Sequence, residues 1–330
     1  MEPMRRKLDV WYVCDQSLCN LRCVYCAAAR GLREAQGRMW AGPEGPERFR
    51  RIIEWIAALP FGIRLRLQTW GEPFLSKDLL GGAAWLSRQG HVEFVELVTN
   101  GSFRERHLEL LATEGDISRF TFWITYHPPQ VTAESVVRAA SMARDRGVFV
   151  VVHALAFPDT LEAVRRLVTL CKEAGVRTDV TGGQNYNHSY PEHGFVPLAD
   201  RNVERLAGLY RHPLALEAMR IAARRCAGQP CSAGHDYVFV SDWGDVFPCR
   251  CYATHQPHAW LGNALRPGLV LPLREEPYAP CASLVACTCK EDYFHLACIR
   301  PHLPMGPSLG YYQPDGDRIV HVGEAGRAGP

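Results

Sequence analysis

The chain has 330 residues, 47% of them hydrophobic and 22% charged, the balance of a globular protein with room for one barrel-sized domain and a smaller appendage. A formal net charge of +2 gives no electrostatic footprint for nucleic acid or for an acidic membrane, and the longest apolar run, "VFVVVHALAF", is too short to cross a bilayer. The basic N-terminus leads into a short apolar run broken by Asp9 and Asp15, which argues against a signal peptide, so the expected location is cytoplasmic. In that reducing compartment the 13 cysteines do not read as a disulfide framework. Cys14, Cys19, Cys23 and Cys26 lie at one end, Cys171 stands alone, and eight others fall between 226 and 298, a clustering that points to metal sites.

From Leu8 to about Val180, β-rich runs alternate with helical ones. Strands are expected at "LDVWYVC", "IRLRLQT", "VEFVELVT", "RFTFWITY", "VFVVVHALAF" and "RTDVT". Between them, "PERFRRIIEWIAAL", "KDLLGGAAWLSRQ", "FRERHLELLATE", "TAESVVRAASMARDR" and "DTLEAVRRLVTLCKEAG" carry apolar residues at helical spacing, the last closing on Gly175 as a C-cap. Alternation of this kind predicts an α/β fold, a partial (β/α)6 TIM-like barrel with right-handed crossovers, over residues 1–182. Residues 183–225 follow as a polar, turn-rich loop and linking helices divided at Pro213. Residues 226–300 form a small cysteine-rich unit, and 301–330 an irregular tail.

The segment "SLCNLRCVYCAA" sets Cys19, Cys23 and Cys26 at C-x3-C-x2-C spacing just beyond the first strand, on the loop at the end where barrel folds place their chemistry. A structural zinc closes with four ligands, so a compact trio suggests a centre with one position open, although Cys14 or a histidine could complete a zinc site. An iron-sulfur cubane held by three thiolates leaves one iron free for a ligand. With Tyr25 in the aromatic position, "CNLRCVYC" resembles the motif of the radical S-adenosylmethionine (SAM) enzymes. The resemblance implies a 4Fe-4S cluster whose free iron chelates SAM, cleavage of SAM to a 5'-deoxyadenosyl radical, and a flavodoxin- or ferredoxin-type electron donor. It also implies that "TWGEP", which follows the second strand, is the element that binds the methionine ammonium, with Gly71 and Glu72 as contacts. Trp70 stands where the family has its first glycine. "TNGS" ends the third strand and offers Thr99 and Asn100 to SAM, and "TYHP" ends the fourth.

The second group contains "CSAGHDYVFVSDWGDVFPC", in which "YVFV" and "DVFP" flank a turn at Gly244 and so bring Cys231 and Cys249 together. This resembles the C-x(9 to 15)-G-x4-C element of SPASM and twitch extensions, which implies at least one auxiliary 4Fe-4S cluster. Downstream, Cys281, Cys287 and Cys289 are spaced C-x5-C-x-C rather than as a full SPASM pattern, so the shorter twitch arrangement is favoured, with two of those three as ligands. Cys226, Cys251 and Cys298 leave room for a second auxiliary cluster. A zinc ribbon is the plain alternative. Cys171 reads as a buried small apolar residue, or as the hydrogen-donor thiol an epimerase would need.

The resemblance leaves the fate of the substrate radical open. An auxiliary cluster suits removal of a second electron, hence a net oxidation in natural-product biosynthesis acting on a sugar or other small molecule. Modification of a peptide by cross-linking or epimerisation is the alternative, and a non-catalytic iron-sulfur or zinc protein is the reading from another class. Only about seven residues precede the first strand, so no N-terminal peptide-recognition domain is expected. Asn185, Tyr186 and His188 in the polar loop are candidate contacts to a hydroxylated or amino-bearing substrate.

Overall fold

The computed structural model describes residues 6–23, 25–26, 40, 42–157, 159–182, 209, 226–283, 287, 290–301 and 306–311. Asn185, Tyr186, His188, Cys289 and the linking helices expected around Pro213 lie outside them. Six parallel strands follow one another in space as in sequence: β1 (Lys7–Cys14), β2 (Gly62–Thr69), β3 (Val92–Thr99), β4 (Phe120–Tyr126), β5 (Phe149–Ala156) and β6 (Arg177–Gly182). Helices α1 (Gly45–Ala58), α2 (Lys77–Ser87), α3 (Glu105–Glu114), α4 (Ala133–Asp145) and α5 (Leu161–Glu173) link successive strands, as the alternating pattern requires. This is an α/β fold with the parallel sheet of a partial TIM-like barrel.

Strand periodicity divides each β run into two faces. Leu8, Val10 and Tyr12 of β1, Leu65 and Leu67 of β2, and Phe122 and Ile124 of β4 join the helices in the main core. From α1, Phe49, Ile52, Ile53 and Ile56 face that core, each burial contributing about 2 kcal/mol. Helix α5 ends in a Schellman arrangement: Gly175 has φ +65°, its N–H donates to Lys172, and the Val176 N–H donates to Cys171. The C-cap itself is Ala174, one position before the expected Gly175, which stands at C′. Cys171 is fully buried in the helix-side core, where burial pushes its thiol up to about 12, and this placement opposes its use as a donor to a substrate inside the barrel.

The opposite strand face is polar and carries paired charges. Arg66 of β2 contacts Glu96 of β3, and its guanidinium lies 4.6 Å from the centre of the Trp123 ring on β4. Asp9 of β1 pairs with Arg64 at 2.5 Å and with Arg300 at 3.2 Å. His153 of β5 lies 5.0 Å from the Trp123 ring, and its Nε2 is 2.9 Å from Thr181 Oγ1 on β6. Residues 307–310, from the tail expected to be irregular, reach this face: Ser308 Oγ donates to Glu96, Thr121 Oγ1 donates to the Pro307 carbonyl, and Gly310 sits against Arg66 and Trp123.

The expected hairpin is β8 (Tyr237–Val240) and β9 (Asp245–Phe247), turning at Gly244 with φ +81°. It joins the barrel sheet. Strand β8 pairs in parallel with β1, from Asp9 opposite Tyr237 to Tyr12 opposite Val240, and β10 (Gly262–Asn263) follows β9. A short pair, β7 (Pro230–Cys231) with β11 (Ala279–Pro280), lies apart from this sheet.

Removing one partner of the buried Arg66–Glu96 pair strands the other charge. Glu96→Ala should therefore cost about 3–5 kcal/mol in chemical denaturation, whereas the double variant Arg66→Met/Glu96→Leu should recover most of it. Equal losses in single and double variants would show that packing rather than charge pairing holds this layer.

Candidate active site

Beyond β1 the chain runs beside the segment that follows β2. Trp70 N donates to Cys14 O (3.4 Å), Gly71 N to Gln16 O (2.8 Å) and Glu72 N to Leu18 O (2.8 Å). This ladder extends the sheet into the loop that carries Cys19. Gly71 makes the approach possible, since a Cβ there would lie 2.6 Å from the Leu18 carbonyl carbon and 2.7 Å from that of Ser17. The close contact allowed by this glycine is therefore to the protein's own backbone.

Cys19, Cys23 and Cys26 follow within one turn-like loop, with Cys26 N bonded to Cys23 O at 3.1 Å. Donors converge on the sulfurs: Leu21 N lies 3.4 Å and Asn100 Nδ2 3.8 Å from Cys19 Sγ, and Gln130 Nε2 lies 3.1 Å from Cys23 Sγ. Gln130 Oε1 in turn accepts from Arg22 N at 2.7 Å, which fixes the amide. Burial pushes the Cys19 thiol up, and burial together with Cys26 and Cys19 pushes Cys23 up to about 12. Three crowded thiols with N–H donors aimed at them suit a metal-sulfur cluster, whose positive iron would favour the thiolates. Cys14 does not extend the trio. It is buried in the helix-side core, while Cys23 packs with Tyr25 and Phe157 in a separate cluster.

Tyr25 is 5% exposed, lies 4.8 Å from the Phe157 ring, and bonds through its hydroxyl to His127 Nδ1 at 3.0 Å. Burial lowers His127 to about 4, so the imidazole is neutral near pH 7. "TYHP" therefore braces the cysteine loop through a tyrosine.

Glu72 is almost wholly buried. Its carboxylate accepts from Thr99 Oγ1 (2.6 Å), Asn100 N (2.8 Å) and Phe74 N (3.3 Å), tying the end of β2 to the end of β3. Asn100 reaches onward to Asn20 Oδ1 at 2.9 Å, beside Cys19. Glu72, Thr99, Asn100 and Cys19 thus form one connected set. Desolvation raises Glu72 to about 7 although all three hydrogen bonds oppose it, so a cation arriving nearby would favour the ionised form. Trp70, where the family pattern has glycine, donates from Nε1 to Asp242 Oδ2 at 3.2 Å and links this loop to the β8–β9 turn.

The second cysteine group is also assembled. Cys231, Cys249, Cys251, Cys281 and Cys287 line a cavity of about 260 Å³, and Cys226 and Cys298 belong to the same buried cluster. Desolvation pushes Cys231 and Cys281 up, and Cys287 N donates to Cys226 Sγ at 3.4 Å. Asp292, 2% exposed, sits among them with its Oδ2 3.4 Å from Cys251 Sγ.

A family model described as the Radical SAM superfamily matches residues 14–188, more than half of the chain. The chain belongs to the Radical SAM superfamily. A curated relative, GTP 3',8-cyclase from Mycobacterium ulcerans (strain Agy99), is 35% identical over 97 residues, which is 29% of this chain and 26% of the relative. The chain thus matches about a quarter of the relative's length. Among solved structures, anSMEcpe with bound AdoMet aligns at TM-score 0.53 and 17% identity, covering 78% of this chain and 75% of that one. Streptococcus suis SuiB bound to its precursor peptide SuiA aligns at 0.52 and 16%, covering 80% and 64%. At such identity these two establish the shared fold. For this radical SAM chain the family implies a 4Fe-4S cluster and AdoMet, and the donor chemistry of the trio fits the cluster.

Sequence reasoning missed Gln130, Asp242 and Asp292, and named His127 only within "TYHP" and Cys251 only as a candidate ligand of a second cluster. Gln130 and Asp292 carry no spacing signal. Cys251, two residues after Cys249, did, as part of "CRC".

Two outcomes are expected. Gly71→Ala should push the 17–18 backbone away and halve or worse the iron bound at the trio, measured in a chain whose C-terminal cysteines are replaced by alanine. Separately, the Glu72 carboxyl ionises at its ordinary 4.5 when unfolded and at about 7 when folded, so the unfolded state holds fewer protons between them. Stability of the metal-free chain should fall by about 3 kcal/mol as pH rises through that window, and Glu72→Gln should abolish this share of the slope. Identical slopes in the two proteins would refute it.

Proposed function

We propose that this radical SAM enzyme performs a net oxidation of a small hydroxylated or amino-bearing molecule in natural-product biosynthesis, with an auxiliary iron-sulfur cluster taking the second electron. The observation that carries the reading is the thiol-lined cavity just beyond β9, the strand that pairs with β8 where the hairpin continues the barrel sheet beside β1. Cys231 and Cys249 with two of Cys281, Cys287 and Cys289 are its proposed ligands, Cys289 lying outside the described residues.

Cys19, Cys23 and Cys26 would hold the 4Fe-4S cluster, which would supply the reducing electron for cleavage of SAM. The chain's own residues do the rest. Glu72, with Gly71, Thr99 and Asn100, presents a buried carboxylate for the methionine ammonium, and ionisation of Glu72 would be favoured by that charge. Tyr25, braced by neutral His127, packs with Cys23 and shields that sulfur from water. The polar strand face, with His153, Asp179 and Thr181 on neighbouring strands, supports a substrate rich in hydroxyl or amino groups. An electron donor of flavodoxin or ferredoxin type is part of the same proposal.

Peptide modification is the second reading, favoured by the likeness to SuiB with its bound precursor peptide. No described helix is long and apolar enough to cross a membrane, and a cytoplasmic location is proposed with the rest.

The test is iron content and 5'-deoxyadenosine formation after anaerobic reconstitution. Wild type should hold about eight irons per chain and form 5'-deoxyadenosine, while the Cys19→Ala/Cys23→Ala/Cys26→Ala variant should hold about four and form none. About twelve irons would require a second auxiliary cluster. Stoichiometric zinc in place of the C-terminal irons would overturn the oxidative reading.

A further inference from the structure

Besides its thiols, the cavity lining includes two ligand-type side chains among the described residues, an exposed His258 and a buried Asp292. Asp292 is fully enclosed, and the ligand atoms of Cys249, Cys251 and Asp292 lie within 4.8 Å of one another. Its Oδ1 accepts from Tyr237 Oη at 2.8 Å and from Arg250 N at 3.2 Å, while Oδ2 faces Cys251 Sγ at 3.4 Å. Neither of the Oδ1 donors carries charge, and the Oδ2 neighbour is a thiol. One oxygen is thereby held in orientation by neutral donors, and the other is turned toward sulfur. That is the arrangement of a metal-ligating carboxylate with its supporting hydrogen bonds already in place. The charge of Arg250 also acts on this carboxylate and favours its ionised form, while the groups that hydrogen-bond Oδ1 are neutral.

The cavity size indicates what the carboxylate would bind. Four ligands closing on a single zinc bring donor atoms to about 3.8 Å from one another and leave no space between them. A cavity of about 260 Å³ lined by five thiols is several times the ~30 Å³ share of one water, which fits a polynuclear centre.

We infer that Asp292 is the oxygen ligand of one iron of the auxiliary iron-sulfur cluster, beside Cys249 and Cys251 and in place of one of the thiolates named above, so that three cysteines and Asp292 hold its four irons. This rests on the auxiliary-cluster reading above. It makes one iron of that cluster chemically distinct from those held by thiolate alone, since a hard carboxylate oxygen binds iron differently from sulfur.

The test uses the full chain carrying Cys19→Ala, Cys23→Ala and Cys26→Ala, so that all remaining iron reports on the C-terminal cavity. It should reconstitute anaerobically with about four irons. Asp292→Asn keeps an acceptor for Tyr237 and Arg250 but is a poor ligand, so it should lose one iron or more and show the electron paramagnetic resonance signal of a three-iron cluster after oxidation. Asp292→Cys restores an anionic ligand and should hold about four irons with shifted g values. Full iron and an unchanged spectrum in Asp292→Asn would overturn the assignment, and so would equal iron loss in both variants. If the parent triple variant itself binds no iron, the auxiliary-cluster reading fails first, and the inference with it.

Discussion

The short backbone ladder between residues 14–18 and 70–72 is the contact on which the catalytic end of the molecule depends. It turns a cysteine loop, otherwise free to sample many conformations, into an extension of the sheet. In the same register it delivers Glu72 to the ends of β2 and β3. Only a residue without Cβ can lie between Leu18 and the rest of the loop, so Gly71 sets the geometry of both the trio and the carboxylate.

Burial then determines the chemistry available to each group. Desolvation raises Cys23 and Glu72 and lowers His127, so in the bare protein thiols, carboxyl and imidazole are all driven toward neutrality. A positively charged centre beside the thiols and an ammonium beside the carboxylate would reverse two of these shifts. The described residues of the site are in this sense built to receive cations. Gln130 and Asn100 add N–H donors to the sulfurs.

The C-terminal unit is mechanically continuous with this end. Strand β8 lies against β1, and Trp70 Nε1 reaches Asp242 in the β8–β9 turn, so the loop holding Glu72 and the hairpin holding Cys249 are coupled through one side chain. The departure from glycine at position 70 thus has a structural use. On the polar strand face, Arg66, Glu96 and Trp123 are packed by residues 307–310, so part of the tail helps shape the barrel interior.

The local pattern of the chain determined the parallel strands, the helices between them, the hairpin at Gly244 and the cysteine trio, because periodicity, turn residues and ligand spacing act over a few residues. Cys171 was legible as a core residue for the same reason, since its position on α5 follows the apolar stripe. Sequence could not show that Gly71 packs on the protein's own backbone, that Gln130 reaches Cys23 across 107 positions, or that Asp292 enters the cysteine cavity beside Cys251. Each of these depends on which segments the folded sheet brings side by side. The reason is physical: a carboxylate or an amide has no spacing rule of its own, and its role is decided by the desolvated neighbours that tertiary packing places within hydrogen-bond reach.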